Sequence, residues 1–476
     1  MAHRIHWAFS GLSALLLAAS ACAQTDHVYF GNLHSHTGYS DGSGLPPEAY
    51  ARARNVAGCD FFAITEHNHD IQISPKDGQP KSQIIARTPA NYFSGANSLA
   101  KAADAATIPG QFVAIYGQEV STNSHGNHVN VFDVPNVVDV ADVPIGEFDQ
   151  LVTWLKKPEN LDSSGRTAVL QFNHPDSSQR PSPNNPEQEA VEYGMDDFGS
   201  RQDWFTNISA LACTIEILNG PALEDIDMIK PPSIYESDYK YYLAQGFRLA
   251  PSADQDNHHK TWGTMSTART CVITDDLTRP KILQALRDRH VYASSDKNLR
   301  VIARVNNHLC GDVLPAPTAD MELDIRIDIH DDDEPNVPYS IDIFRGVAGS
   351  GVIATKVDSV SATGNGVVQI EDIHVSQPKE YVFFRLVQQD SEDRKDKAWT
   401  APVWFGDPLP PGVSGGSSGP ATPPPTDPSA NFVASRRSEV YHTNPNCPSA
   451  KQIKPENRVT GAAATDGRHA HDCPPM

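Results

Sequence analysis

The chain has 476 residues, with 38 Lys and Arg against 59 Asp and Glu and a formal net charge of −21. That length exceeds one ordinary core, so two or three domains are expected. The acidic balance argues against long-range attraction to nucleic acid or an anionic membrane, but not against an anionic substrate held through metal ions.

Residues 1–23 read as a signal peptide. Arg4 gives a short positive region, Gly11–Ala19 an apolar stretch too short to span a bilayer, and Ala21-Cys22-Ala23 a small-x-small cleavage site. The protein is therefore expected to be exported, periplasmic or secreted. Lipid anchoring at Cys22 is the lesser alternative, since the large aliphatic residue usual three positions earlier is absent. No later segment is apolar enough to cross a membrane.

From Val28 to about Arg304, short apolar strand-like runs alternate with helix-compatible stretches. The runs are Val28–Leu33, Phe61–Thr65, Phe112–Tyr116, Val129–Phe132, Ala168–Phe172, Ala212–Leu218 and Phe247–Ala250; helices are expected at Pro47–Ala57, Ser98–Ala106, Phe148–Lys157 and Pro280–Asp288. Pro46-Pro47-Glu48 suits a helix start, because proline in the first turn loses no helical hydrogen bond and the carboxylate meets the positive helix end. Such alternation predicts an α/β domain over residues 26–310, plausibly barrel-like.

Beyond Cys310 the period changes to two. Met321–Ile329 alternates for nine residues, and Ser340–Phe344, Val367–Glu371, Tyr381–Val387 and Ala401–Phe405 continue as strands, so 311–406 is expected to be a small antiparallel β domain. Residues 407–430, centred on Pro423-Pro424-Pro425, are a Pro/Gly/Ser linker unable to bury a core. A module at 431–476 follows, too small to stand without a staple. Its Cys447 and Cys473 are expected to form a disulfide, with zinc on His442, Cys447, His469, His471 and Cys473 as the alternative. Cys59, Cys213, Cys271 and Cys310 lie in or beside apolar runs and read as free buried thiols.

Chemistry-bearing residues cluster at the ends of the strand-like runs. His34 and His36 follow the first run with Asp41 in the same loop; Glu66 and His67 end the second, and Glu119 the third. His128 precedes Val129, His174 follows Phe172-Asn173, and Asp254, Asp256 and His258 follow the last run. Six imidazoles with three carboxylates are too many for one tetrahedral ion and suit two or three divalent ions sharing Glu119. In an α/β barrel, functional side chains gather at the C-terminal ends of the strands.

These stretches resemble the polymerase-and-histidinol-phosphatase (PHP) superfamily, in the branch known as domain of unknown function 3604. The resemblance rests on Tyr29–Thr37, Ser40-Asp41-Gly42, Ile64–Asn68, Gly117-Gln118-Glu119, Gly126–Phe132, Phe172–Pro175, Gln255–His258 and Arg289–Ser294. It implies a distorted (β/α)7 barrel. It also implies up to three ions: one held by His34, His36, Glu119 and Asp256, one by Glu119, His128 and His174, and one by Asp41, His67 and His258. Asp256 is preferred to Asp254 because it keeps the Asp-x-His spacing, and His128 to His125 because of its Gly-Asn-His-Val-Asn frame. Glu66 is expected to orient a ligand imidazole rather than touch metal. The tail resembles a small Ada-like zinc module, with two cysteines where relatives keep four.

The expected activity is metal-dependent hydrolysis of a small-molecule ester, a phosphoester first, using manganese, zinc or iron. His67, His258 or metal-bound water would protonate the leaving group, Glu119 would bridge the ions, and Arg289 and Lys260 are candidate phosphate contacts. The alternatives are hydrolysis of a carboxylic ester, lactone or amide, and a non-catalytic exported binding protein with structural metals. There is no nucleophile-elbow Gly-x-Ser-x-Gly, Gly-rich phosphate loop or dinucleotide fingerprint, so neither serine catalysis nor a nucleotide cofactor is expected.

Overall fold

The computed structural model divides into two compact units, residues 1–417 and 418–476. It describes residues 26–68, 90–120, 128–139, 141–143, 148–162, 165–175, 208–222, 231–389 and 396–408, and the strand backbones 433–435, 440–442, 458–460 and 469–471. The expected signal peptide, His125, residues 409–430 of the linker, Cys447 and Cys473 lie outside the described residues.

In the first unit, β1 (His27–Asn32), β2 (Phe61–His67) and β3 (Val113–Val120) run parallel, with Gly31 opposite Phe61 and Phe61 opposite Val113. Strand β2 is buried along its whole length, as expected of an apolar run in a sheet covered on both faces. Next come β4 (Val129–Phe132), antiparallel to β3, and β5 (Val169–Phe172), antiparallel to β4. The parallel strands β6 (Ala212–Asn219) and β7 (Ala250–Asp254) complete the run. Its two ends approach each other through β8 (Arg269–Thr274). That strand pairs antiparallel with β1, and the Thr270 hydroxyl meets both the amide (2.9 Å) and the carbonyl (3.1 Å) of Ala253 on β7.

Helices α1 (Pro46–Asn55), α2 (Leu99–Ala106), α3 (Phe148–Leu155), α4 (Glu236–Gln245) and α5 (Arg279–Asp288) lie between strands. Proline opens α1 with Glu48 in its first turn, and the Ser98 hydroxyl caps α2 by accepting from the Lys101 amide. Helix α4 carries no clean apolar stripe and was not among the expected helices; Gly246, at φ 103°, ends it. The seventh expected strand, Phe247–Ala250, is displaced: β7 begins at Ala250, where the apolar run ends, and carries the buried polar residues Ser252 and Asp254.

Strand pairing crosses the expected boundary at 310. Strand β9 (Val291–Ser294) pairs with β8, and β10 (Arg300–Val305) with β11 (Ile325–His330), whose inward Ile325, Ile327 and Ile329 show the expected alternation. Strands β12 (Pro338–Val347), β13 (Thr355–Thr363), β15 (Glu380–Gln388), β16 (Lys397–Thr400) and β17 (Val403–Phe405) extend the first sheet through the pairing of β16 with β9, while β14 (Gly366–Ile370) pairs with β11. One buried cluster joins Phe30, Phe61 and Ile115 to Ile327, Ile341 and Phe384, so the two regions share apolar packing. Cys59, Cys213, Cys271 and Cys310 are free and buried. The second unit has a four-stranded sheet in the order 458–460, 433–435, 440–442, 469–471. Among the described residues, no helix is long and apolar enough to cross a membrane.

Candidate metal centre

Strand β1 ends in the loop that carries His34 and His36. The loop is stitched to the segment after β7: the Asp256 amide donates to the His34 carbonyl (3.0 Å) and the His36 amide to the Asn257 carbonyl (2.8 Å). Trp262 adds an indole hydrogen bond to the His36 carbonyl at 2.8 Å. The turn that follows folds so closely on itself that a Cβ at Gly42 would lie 2.7 Å from the His36 carbonyl carbon. Two candidate ligands, His174 (φ 28°) and Asp256 (φ 49°), hold left-handed backbone that non-glycine residues adopt only when their surroundings enforce it.

Nine sequence-predicted residues come together here: His34, His36, Asp41, His67, Glu119, His128, His174, Asp256 and His258. Glu119 is central. Its Oε1 lies 3.1 Å from His34 Nε2, 3.0 Å from His128 Nδ1 and 3.4 Å from His174 Nε2. Its Oε2 lies 3.0 Å from His36 Nε2 and 3.3 Å from His67 Nδ1. Asp256 Oδ1 is 3.2 Å from both His34 Nε2 and His36 Nε2, and Asp41 Oδ1 is 3.2 Å from His258 Nε2 and 3.8 Å from His67 Nε2.

Ligand atoms within 4.8 Å of one another occur in three overlapping groups: His34, His36, Glu119 and Asp256; His67, Glu119 and His128; and His36, Asp41, His67 and His258. Three carboxylate oxygens at their centres, Asp41 Oδ1, Glu119 Oε2 and Asp256 Oδ1, are buried and accept no hydrogen bond. Buried acceptors of this kind are costly unless a cation satisfies them. The imidazole and carboxylate donor set therefore fits divalent transition-metal ions.

The surroundings orient these groups. Glu216 Oε1 lies 2.9 Å from His34 Nδ1, which turns His34 Nε2 towards Glu119 and Asp256. Glu216 Oε2 accepts from the His174 amide (2.5 Å) and the Asn219 side chain (2.7 Å). Sequence reasoning missed this residue; its signal was a lone carboxylate inside the apolar run Thr214-Ile215-Glu216-Ile217-Leu218. Glu66 accepts from the Thr37 amide (3.0 Å) and from the hydroxyls of Thr37 and Ser40, and Ser40 Oγ lies 3.3 Å from His36 Nδ1. It thus braces the loop of His36. Asp254 is engaged elsewhere: Oδ1 accepts from the Leu33 amide (2.5 Å) and Thr270 (3.0 Å), and Oδ2 from Gln171 (3.1 Å). Burial, then the charge of Glu216, pushes its carboxyl up to about 7.

The cluster shifts its own protonation. Burial opposes charge on His36, but the Asp256 and Glu119 carboxylates beside it outweigh that and raise the imidazole to about 10. His34 is likewise raised against burial, by Glu119, Asp256 and Glu216. Burial works against ionised Asp41 and Asp256 too, yet the neighbouring imidazoles hold both below the usual carboxylate range.

Arg289 is not part of the centre, which corrects its expected contact with substrate. Its guanidinium donates to the carbonyls of Arg248 (2.7 Å), Ala212 (2.9 Å) and Arg287. Ala212 opens β6 and Arg248 precedes β7, so Arg289 sits at the strand ends opposite those bearing Glu216 and Asp256. Lys260 is exposed and follows His258 and His259 in the same loop.

No protein-family model matches the chain, and no curated protein matches it. A solved structure from Bacteroides vulgatus, described as a two-domain protein containing a predicted PHP-like metal-dependent phosphoesterase, aligns with 80% of this chain and 95% of its own at 12% identity, with a TM-score of 0.39.

Proposed function

We propose that this chain is a metal-dependent hydrolase of the PHP type that cleaves phosphoesters of small molecules. The observation that carries this reading is the convergence of three buried, undonated carboxylate oxygens among six imidazoles. His34, His36, Glu119 and Asp256 would hold one ion, Glu119, His128 and His174 a second, and Asp41, His67 and His258 a third. Manganese, zinc or iron bound there supplies Lewis-acid polarisation of a phosphoryl oxygen and lowers the pKa of water.

The protein's own groups do the rest. Glu119 presents its two oxygens to different imidazoles, the arrangement a bridging carboxylate needs. His258 Nδ1 lies 2.7 Å from the Asp256 carbonyl, which places its proton there and leaves Nε2 facing Asp41. With only the first two ions bound, His258 Nε2 or His67 stays free to exchange a proton with the leaving oxygen. The His128 and His174 side chains are 21% and 23% exposed against 0% for His34 and His36, so these two are the imidazoles more open to solvent. In this reading the strand run closing through β8 is a distorted barrel, and residues 1–23 direct export.

The test is hydrolysis of p-nitrophenyl phosphates beside p-nitrophenyl carboxylates by the full-length protein, before and after chelation. Phosphoester cleavage should vanish on chelation and return with manganese, zinc or iron. Glu119→Gln should lower metal affinity by at least about 100-fold, since even an outer partner is worth 10–100-fold. Activity indifferent to complete metal removal refutes the mechanism, and cleavage of carboxylates alone refutes the phosphoester assignment.

A further inference from the structure

A second group of carboxylates shares no residue with the histidine-rich centre. Asp296 follows β9, Asp331 follows β11, and Glu334 lies in the turn before β12; an oxygen from each lies within 4.8 Å of the others. Asp331 is fully buried, and Asp296 is 8% exposed. Their neighbours are neutralised, Asp332 by Arg300 (3.2 Å) and Asp333 by Lys297 (2.9 Å). None of the three pairs with a lysine or arginine among the described residues.

Independent polar groups face the same place. Tyr339 and Gln388 are each 2% exposed, and the Tyr339 hydroxyl and the Gln388 carbonyl oxygen have no hydrogen-bond partner. They sit directly opposite each other on β12 and β15, so their side chains share one face of the sheet. The Gln388 amide reaches Asp331 Oδ2 at 2.9 Å, which fixes that face as the one turned towards the carboxylates. The backbone wraps the group as well, since the amides of Asp333 (2.9 Å) and Glu334 (3.0 Å) both donate to Asp331 Oδ1. Glu334 Oε2 is buried without a donor.

We propose that Asp296, Asp331 and Glu334, lined by the neutral oxygens of Tyr339 and Gln388, form a calcium site. The donors are all oxygen, with no imidazole or thiol, which selects a hard cation over the transition metals of the main centre. Calcium accepts six to eight oxygens in irregular geometry, whereas magnesium demands a near-ideal octahedron and keeps its water. An ion here would tie the segment leaving β9 to the ends of β11 and β15. The competing arrangement is a proton on Glu334, whose carboxyl is pushed up to about 7 by burial first and then by Asp331 and Asp296.

The test uses the full-length protein with its histidine-rich centre already loaded, so it does not depend on the hydrolase reading. Isothermal titration with calcium chloride should give one saturable site of about 10⁻⁴–10⁻³ M, in the range of extracellular modules. The thermal midpoint should rise by about 2–4 °C near saturation. Terbium should bind in its place with tyrosine-sensitised emission that calcium displaces. Glu334→Gln should abolish calcium binding without changing transition-metal content, and Tyr339→Phe should remove the sensitised emission. No saturable binding by the native protein, or native affinity in E334Q, overturns the proposal. So does a thermal midpoint that follows pH and ignores calcium.

Discussion

Glu119 has no lysine or arginine beside it among the described residues; imidazoles surround it instead. In the proposed centre this carboxylate anchors metal, and its geometry depends on partners outside the ligand set. Glu216 is the clearest of these, because among the described residues it alone meets His34 Nδ1, at 2.9 Å, while His34 Nε2 faces the centre. Glu216→Gln keeps an acceptor but removes the charge, and metal affinity measured by chelator competition should fall about 10–100-fold. Unchanged affinity would reduce Glu216 to a packing role. Protonation gives a second handle. His36 is raised to about 10, so its ring carries the charging proton at neutral pH in the metal-free protein, and His34 is shifted in the same direction. Ligation requires the neutral ring. Metal uptake at neutral pH should therefore release at least one proton, and affinity should climb with pH over that range. Calorimetry in buffers of different ionisation enthalpy reads this directly, and uptake without proton release contradicts it.

At the scale of elements, the loop after β1 and the loop after β7 form one assembly held by backbone hydrogen bonds and by Trp262. The convergence of His34 through His258 was legible in sequence because strand-like runs end in these residues, and neighbouring strand ends gather them in space. Glu216 was not legible for a local reason: inside β6 a carboxylate looks like any charged residue, and only burial on an inward face gives it meaning. Arg289 misled in the opposite direction. It lies in a stretch resembling a family motif, yet it serves to close the end of α5, where it holds φ 63° and satisfies three carbonyls. Hydrogen bonds to a charged donor contribute about 1.5–3 kcal/mol each. Arg289→Met should therefore destabilise the protein by about 3 kcal/mol or more in denaturant unfolding, with KM unaltered. A raised KM at native stability would return Arg289 to the substrate.

Across the whole molecule, the alternation of strands and helices up to about residue 304 and the period-two strands beyond it were both readable. The continuity between them was not. Residue 310 looked like a boundary because the pattern changes there, but β16 adds to β9 and the apolar cluster runs through both regions. Periodicity reports which face of a strand is buried, not which strand lies beside it. Strand β7 was misplaced for a related reason: it lines the polar interior, so its residues lack the apolar signature of the other strands. The central claim is that ligands drawn from six separate segments hold metal around Glu119. Anomalous-scattering maps from crystals of the active protein, recorded at the manganese, iron and zinc edges, test it most directly. The account predicts two or three peaks, with Glu119 contacting at least two of them and Asp256 rather than Asp254 in contact. An active enzyme with no peak among His34, His36 and Glu119 would contradict it.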